Sequence, residues 1–292
     1  MDTFSYLFQL FITGVTIGSI YAMVAVGFNM IYNATDVINF AQGEFVMLGG
    51  MVMVSLHATF GLSIPLAFFL TIVIVTIAGI AFERFTIHPL KKPSLITLTI
   101  ITIAVGFLFR GISMFVWGKD SLSFPAFSGE KPIILWGAAI LPQTLWIIGM
   151  IVILVIFLTY FFKFTITGKA LRATAINREA ASLMGIDVKK MVTFSFAMSA
   201  AIGAIAGLII TPITLIEYDR GPSFGIKGFC AAILGGIGNT GGAVVAGLII
   251  GILESFGAGL LASGYKDAIA FLIMLLILFL RPGGLLGKYE VE

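Results

Sequence analysis

Long apolar runs separated by short polar stretches organise this chain. The runs lie near residues 4–31, 40–59, 62–82, 95–117, 144–162, 191–216, 243–262 and 265–280. Each approaches or exceeds the length of about 20 mostly apolar residues that a membrane-spanning helix needs. A ninth piece, residues 225–234, is too short to cross alone unless it continues into the glycine-rich stretch behind it. The pattern therefore predicts an all-α, polytopic integral membrane protein with about eight transmembrane helices plus a re-entrant or broken helix around 225–242. No polar stretch is long enough to bury a core of its own, so residues 1–292 read as a single transmembrane domain.

Charge placement orients the predicted helices. Three stretches hold most of the basic residues: Arg84, Lys91 and Lys92; Lys163, Lys169, Arg172, Arg178, Lys189 and Lys190; and Arg281 with Lys288. The alternate stretches carry Lys119, Lys131, Arg220 and Lys266 beside Asp2, Asp120, Glu130, Glu217, Asp219 and Asp267. Cytoplasmic loops are enriched in Lys and Arg, so the first group is read as cytoplasmic. Counting back places the N-terminus outside and the C-terminus inside, provided that residues 225–242 make one full or broken pass. The longest external segment, 118–143, is edged by Trp117, Trp136 and Trp146, as expected for side chains at the membrane interface.

Composition agrees with this class and removes others. Hydrophobic residues make up 59% of the 292 and charged residues only 11%, against about 25% charged in soluble domains. A surface this apolar must face lipid. The 34 glycines suit helices that approach closely at small residues. A lone Cys230 excludes an intrachain disulfide and any multi-cysteine metal site. The net charge of +3 is gathered in loops without a basic–aromatic stripe, so no nucleic-acid partner is expected. The first residues lack the positive region of a cleavable signal peptide, and the first apolar run is expected to stay in place.

Two polar, glycine-bearing interruptions occupy comparable places in the two halves: Ile38 to Glu44, and Leu234 to Gly242. Irregular backbone at membrane depth survives where protein or water satisfies its polar groups, and paired interruptions point to a transport pathway; ordinary tight turns are the other reading. Asn29, Asn39, Gln42, Gly43, Asn239 and Gly241 are the pathway candidates. Four charges, Glu44, Arg110, Lys227 and Glu254, fall within or beside apolar runs, where insertion costs at least about 2.5–3.5 kcal/mol each. They either pair across helices, the favoured reading, or line the pathway.

Motifs for catalysis are missing. The two histidines, His57 and His88, form no metal-binding pattern, and Gly284-Leu285-Leu286-Gly287-Lys288 lacks the spacing and the following Ser or Thr of a phosphate-binding loop. If the chain drives active transport, energy must come from an ion gradient or from another polypeptide. Residues 168–186 bear on that choice. They predict a short, basic, alanine-rich helix with Ala173, Ile176 and Ala180 on one stripe, Leu171, Ala175 and Leu183 beside it, and Gly185 ending the helix as its C′ residue.

Within that segment Gly168, Ala170, Arg172, Ala173, Asn177, Ala180, Gly185 and Ile186 resemble the cytoplasmic coupling loop of the branched-chain amino-acid permease family of ABC importers. The likeness runs the length of the chain. Gly18 to Tyr32 followed by Ile38-Asn39-Phe40-Ala41-Gln42-Gly43 is similar to the family's opening signature. Leu234 to Ala243 and Arg281-Pro282-Gly283-Gly284-Leu285-Leu286-Gly287 are similar to its closing ones. The resemblance implies an inner-membrane permease subunit for leucine, isoleucine and valine, with no ATPase site of its own. It also implies a second related permease, two cytoplasmic ATPase subunits that hold the ATP and magnesium, and a periplasmic amino-acid-binding protein. Permeases for other amino acids, amides or urea share these motifs, and an ion-coupled carrier working alone is the alternative of a different class.

Overall fold

The computed structural model describes residues 3–90, 94–260, 264 and 266–287. Asp2, Lys91, Lys92 and Lys288, used above to orient the chain, lie outside them, as do residues 261–263 and 265 at the junction of the last two apolar runs. The described helices are α1 (Thr3–Thr35), α2 (Gln42–Val54), α3 (Ile64–Phe82), α4 (Leu95–Trp117), α5 (Pro142–Phe164), α6 (Ile166–Ile176), α7 (Arg178–Leu183), α8 (Val188–Ile210), α9 (Gly221–Gly235), α10 (Thr240–Leu260) and α11 (Lys266–Leu280).

Among the described residues six helices are long and apolar enough to cross a membrane: α1, α3 with its π-helical extension to Ile87, α4, α5, α8 and α10. The protein is thus polytopic and helical, but two expected spans are shorter than their apolar runs. The 40–59 run becomes a 13-residue helix, α2, that loosens into a π-helical turn over Ser55–Thr59. The last run yields a 15-residue helix, α11. The short piece expected at 225–234 starts earlier, at Gly221, with Pro222 at the helix start where a missing N–H costs nothing. At 15 residues α9 is about 22 Å long, less than the ~30 Å hydrocarbon core.

Position in the bundle follows from side-chain size. α1 and α2 are buried on all faces through Gly18–Ile31 and Gln42–Val54, so they form the centre. α10 crosses α1 where a Cβ on Gly18 would stand 2.8 Å from the Gly247 carbonyl oxygen, an approach only glycine allows. α8 packs on α2 in the same way, with a Cβ on Gly49 falling 2.5 Å from the Ala204 carbonyl. Large apolar side chains such as Phe107 and Phe115 on α4, Ile156 on α5 and Phe279 on α11 point outward, the surface that lipid or another membrane subunit would cover.

The 118–143 segment departs from pure helix. β1 (Ile133–Leu135) and β2 (Ala138–Ile140) form an antiparallel hairpin whose two turn residues, Trp136 and Gly137, both have positive φ, as a type I′ turn requires. The Ser5 hydroxyl donates to the Trp136 carbonyl (2.9 Å) and Gln9 accepts from the Ala139 N–H (2.8 Å), so the hairpin is clamped to the start of α1. The segment also meets residues 211–220: Leu122 pairs with Ile216, and the Ser121 hydroxyl donates to Glu217 at 2.6 Å, holding that carboxyl below its usual range.

Candidate coupling segment and polar sites

Residues 166–183 fold as two helices where the apolar stripe predicted one. Thr165 caps α6, its hydroxyl accepting from the Gly168 N–H (3.0 Å). At Asn177 the backbone turns extended (φ −159°, ψ 109°) and the side-chain oxygen accepts from the Ala180 N–H at 2.9 Å, starting α7 afresh. Asparagine caps helices well because its short amide satisfies an orphan N–H. The break puts Ala173 and Ile176 on one helix and Ala180 on the next, so the expected single stripe does not exist. The far end is as expected: Gly185 has φ +83°, its N–H bonds to Ser182 (3.0 Å), and the Ile186 N–H bonds to Ala181 (3.1 Å), the paired bonds of a Schellman cap.

The two helices present an apolar cap. Ile176, Leu183 and Met184 are 86%, 89% and 83% exposed, beside exposed Arg172, Asn177, Ala180 and Gly185. Ala170, Ala173 and Ile186 are half-buried. Gly168 is buried, and a Cβ there would run into the Phe161 carbonyl, so this glycine seats α6 against the end of α5. Leu171 is likewise buried and serves as an anchor. Met184 was missed from sequence; two consecutive apolar residues directly before the terminating glycine were the available signal. Arg178 ties the segment to Asp36, just beyond α1, through a 2.7 Å ion pair. Asp187 caps α8 by accepting from the Lys190 N–H (3.1 Å), which holds its carboxyl below the ordinary value.

The pathway candidates fall into two groups. Asn39 and Gln42 are fully buried. Asn39 accepts from the Ala41 N–H (3.1 Å), while Gln42 exchanges hydrogen bonds with the Ser199 carbonyl and hydroxyl, and Ser199 also donates to the Gly27 carbonyl (2.8 Å). Gly43 faces Gly225, whose nitrogen would stand 2.7 Å from an added Cβ. The second group joins Asn29 to the other interruption: its amide donates to the Asn239 carbonyl (3.1 Å) and accepts from the Gly238 N–H (3.0 Å). Asn239 caps α10 through the Gly242 N–H (2.9 Å) and donates to the Leu286 carbonyl (2.8 Å). With the Leu285 N–H bonded to the Leu234 carbonyl at 2.7 Å, the two closing motifs are knit together.

Among the pathway candidates, Gly241 carries no steric burden. It is exposed, lacks positive φ, and an added Cβ would meet only the Asn239 side chain at 3.5 Å. The tight position is Gly242, whose Cβ would fall on the Gly235 carbonyl oxygen. Gly242→Ala should therefore destabilise the protein by about 1–3 kcal/mol, while Gly241→Ala changes it by less than ~0.5 kcal/mol. Thermal unfolding in detergent reads the difference, and equal effects would contradict this packing.

All four intramembrane charges pair. Arg110 Nε lies 3.1 Å from Glu44 Oε1, and Lys227 Nζ lies 2.7 Å from Glu254 Oε1. The Tyr21 hydroxyl donates to Glu254 Oε2 (2.9 Å), joining α1, α9 and α10. Pairing is the arrangement that makes a charge tolerable at membrane depth.

Comparison with known proteins adds a family to this geometry. The family model described as "Branched-chain amino acid transport system / permease component" matches residues 10–278. The high-affinity branched-chain amino acid transport system permease protein LivH of Salmonella typhimurium is 31% identical over 306 residues, covering 100% of this chain and 99% of LivH. BraD of Pseudomonas aeruginosa, described by the same phrase, is 33% identical with the same coverage. The ribose import permease protein RbsC of Haemophilus influenzae is 28% identical over 89% of this chain and 80% of its own length. Among solved structures, PsaBC from Streptococcus pneumoniae in complex with Fab aligns with a TM-score of 0.53 at 13% identity, over 97% of this chain and 94% of that one, a likeness of fold.

Proposed function

The chain belongs to the branched-chain amino-acid transport permease family, and from that we propose that it is the permease subunit of an ATP-driven importer for leucine, isoleucine and valine. The observation that carries the ATP-driven part is the apolar cap of Ile176, Leu183 and Met184 on a basic segment. Three large hydrophobic side chains left in water are costly, and a soluble subunit that covers them recovers that free energy. The partners on this reading are two ATPase subunits beneath the permease, one of them docked on the cap, each supplying an ATP and magnesium site, a second related permease against the outward-facing helices, and an amino-acid-binding protein on the opposite side. Gly168 and the Gly185–Ile186 cap shape the docking segment, while Arg172, Asn177 and Ala180 lie on its surface.

The protein sits in the bacterial inner membrane with its N-terminus outside and its C-terminus in the cytoplasm. Nine crossings satisfy that orientation: the eight apolar runs plus one full or broken pass through residues 225–242, with α2 and α9 as short helices among them. Cysteine placed at exposed Ser182 in a Cys230-free background should react with an impermeant thiol reagent only from the cytoplasmic side, and at exposed Ser128 only from outside. Labelling of Ser182 in sealed cells would reverse the topology. The function itself is tested by reconstituting the complete complex with its binding protein and measuring ATP-dependent uptake of labelled leucine, isoleucine and valine. Uptake without ATP, or none of any of the three, would overturn it.

A further inference from the structure

A cavity of about 200 Å³ opens between α4 and α9, with α1 and α2 behind it. A space of only ~10–15 Å³ by the same measure holds one water, so this one has room for a small organic molecule. Its walls are apolar: Phe28, Phe40, Ile103, Phe107, Ile226 and Phe229. The polar groups on the lining are the Glu44 carboxylate and the Arg110 guanidinium.

That charge pair is incompletely satisfied. Glu44, 3% exposed, meets Arg110 through Oε1 alone; its Oε2 is buried and accepts no hydrogen bond among the described residues. Gly221, the first residue of α9, leaves the space that Oε2 occupies, since a Cβ there would overlap it. Arg110 Nε lies 3.1 Å from Glu44 Oε1 but makes no hydrogen bond, and its guanidinium lies 4.4 Å from the centre of the Phe107 ring. No hydrogen bond from its Nη groups is recorded among the described residues, and its side chain is 26% exposed. A purely structural tie would be expected to use both carboxylate oxygens and the fork of the guanidinium. Here a carboxylate, through Oε1, and the unused fork of a guanidinium stand side by side at an apolar chamber.

We propose that this cavity is a transient binding site for a zwitterionic α-amino acid with an aliphatic side chain. The inference rests on the function proposed above and locates its substrate. The ammonium donates to Glu44 Oε1 in place of Arg110 Nε, the carboxylate accepts from the two Nη groups of Arg110, and the side chain lies among the phenylalanines and isoleucines. Both substrate charges are matched locally, so no net charge enters the membrane unbalanced. A polar side chain would find no partner on these walls and would be rejected for that reason. Because the substrate must compete with the Arg110–Glu44 contact, binding is weak, as a pathway requires.

The test uses the complete transporter in proteoliposomes, with binding protein saturated by leucine or by valine so that delivery is equal. Ile226→Trp narrows the cavity and should lower the leucine-to-valine uptake ratio about tenfold, the scale on which a pocket discriminates one methylene. The ratio does not depend on how much protein inserts. Gly106→Ala adds a methyl 3.6 Å from Glu44 Oε1, an ordinary contact, and should shift the ratio the same way by roughly threefold; it decides alone if the tryptophan variant transports neither. Arg110→Lys keeps the charge but loses the fork and should lower uptake of both amino acids about tenfold. Wild-type ratios in both cavity variants would overturn the side-chain site, and wild-type rates in Arg110→Lys would overturn the zwitterion anchor. A wild-type complex that takes up neither amino acid overturns the function itself, and the cavity assignment with it.

Discussion

Replacing Leu183 and Met184 together with aspartate should abolish ATP-driven uptake while the protein still inserts and folds. Both side chains are almost fully exposed in the isolated chain, so changing them removes no internal packing. Burying a Leu or Met side chain in a partner's groove is worth about 1.5–3 kcal/mol each. Losing two such contacts weakens docking by about 10²- to 10⁴-fold. Burying the introduced carboxylates would add further cost. Co-purification of the ATPase subunits with the tagged permease measures the effect directly. Retained docking with normal uptake would mean that the cap of α6 and α7 faces something else. Leu171→Ala gives a contrast: this side chain is buried, so its loss should lower thermal stability by about 2–5 kcal/mol instead of acting only on docking.

That contrast shows where sequence reasoning reaches its limit. Hydropathy identifies the apolar runs, because lipid asks only for apolar side chains over a sufficient length. It does not distinguish a helix facing lipid from one buried in protein. The run at 40–59 therefore read as one span, although α2 is enclosed on every side by Gly43, Gly49 and Gly50 contacts that let α8, α9 and the 211–216 segment approach. At Asn177 the helical stripe looked continuous because Ala173, Ile176 and Ala180 have the right spacing. The cap bond to Ala180 wins locally, and an asparagine followed by Arg178 and Glu179 in the first turn was a legible start signal. Choosing between Gly241 and Gly242 needed the neighbour, Gly235, that only the fold supplies. The buried charges could be named from sequence, but Glu44 and Arg110 are 66 positions apart and their pairing follows from tertiary structure. The hydrogen-bonded link between the 234–242 and 281–287 motifs has the same origin.

The other charge pair should act as a clamp, and its removal should be strongly asymmetric. Lys227→Met deprives the Glu254 carboxylate, 4% exposed, of its cation on α9. Breaking a buried pair from one side costs about 3–5 kcal/mol because the remaining charge stays where solvent cannot reach it. Adding Glu254→Leu to that variant removes the stranded charge. Apolar replacement of a whole buried pair is often neutral, and here the Tyr21 hydroxyl loses an acceptor, a cost of about 1–3 kcal/mol. The double variant should therefore be more stable than Lys227→Met, in thermal unfolding of the detergent-solubilised protein. Additive losses, with the double variant below both singles, would show that the pair is not what holds these helices. The clamp also matters for transport. Lys227 and Glu254 fasten α9 to α10 and, through Tyr21, to α1, and Pro222, Gly225, Ile226 and Phe229 of α9 line the cavity that Glu44 and Arg110 share. A double variant that regains stability but not uptake would place the role of the pair in holding α9 at the right distance from α4.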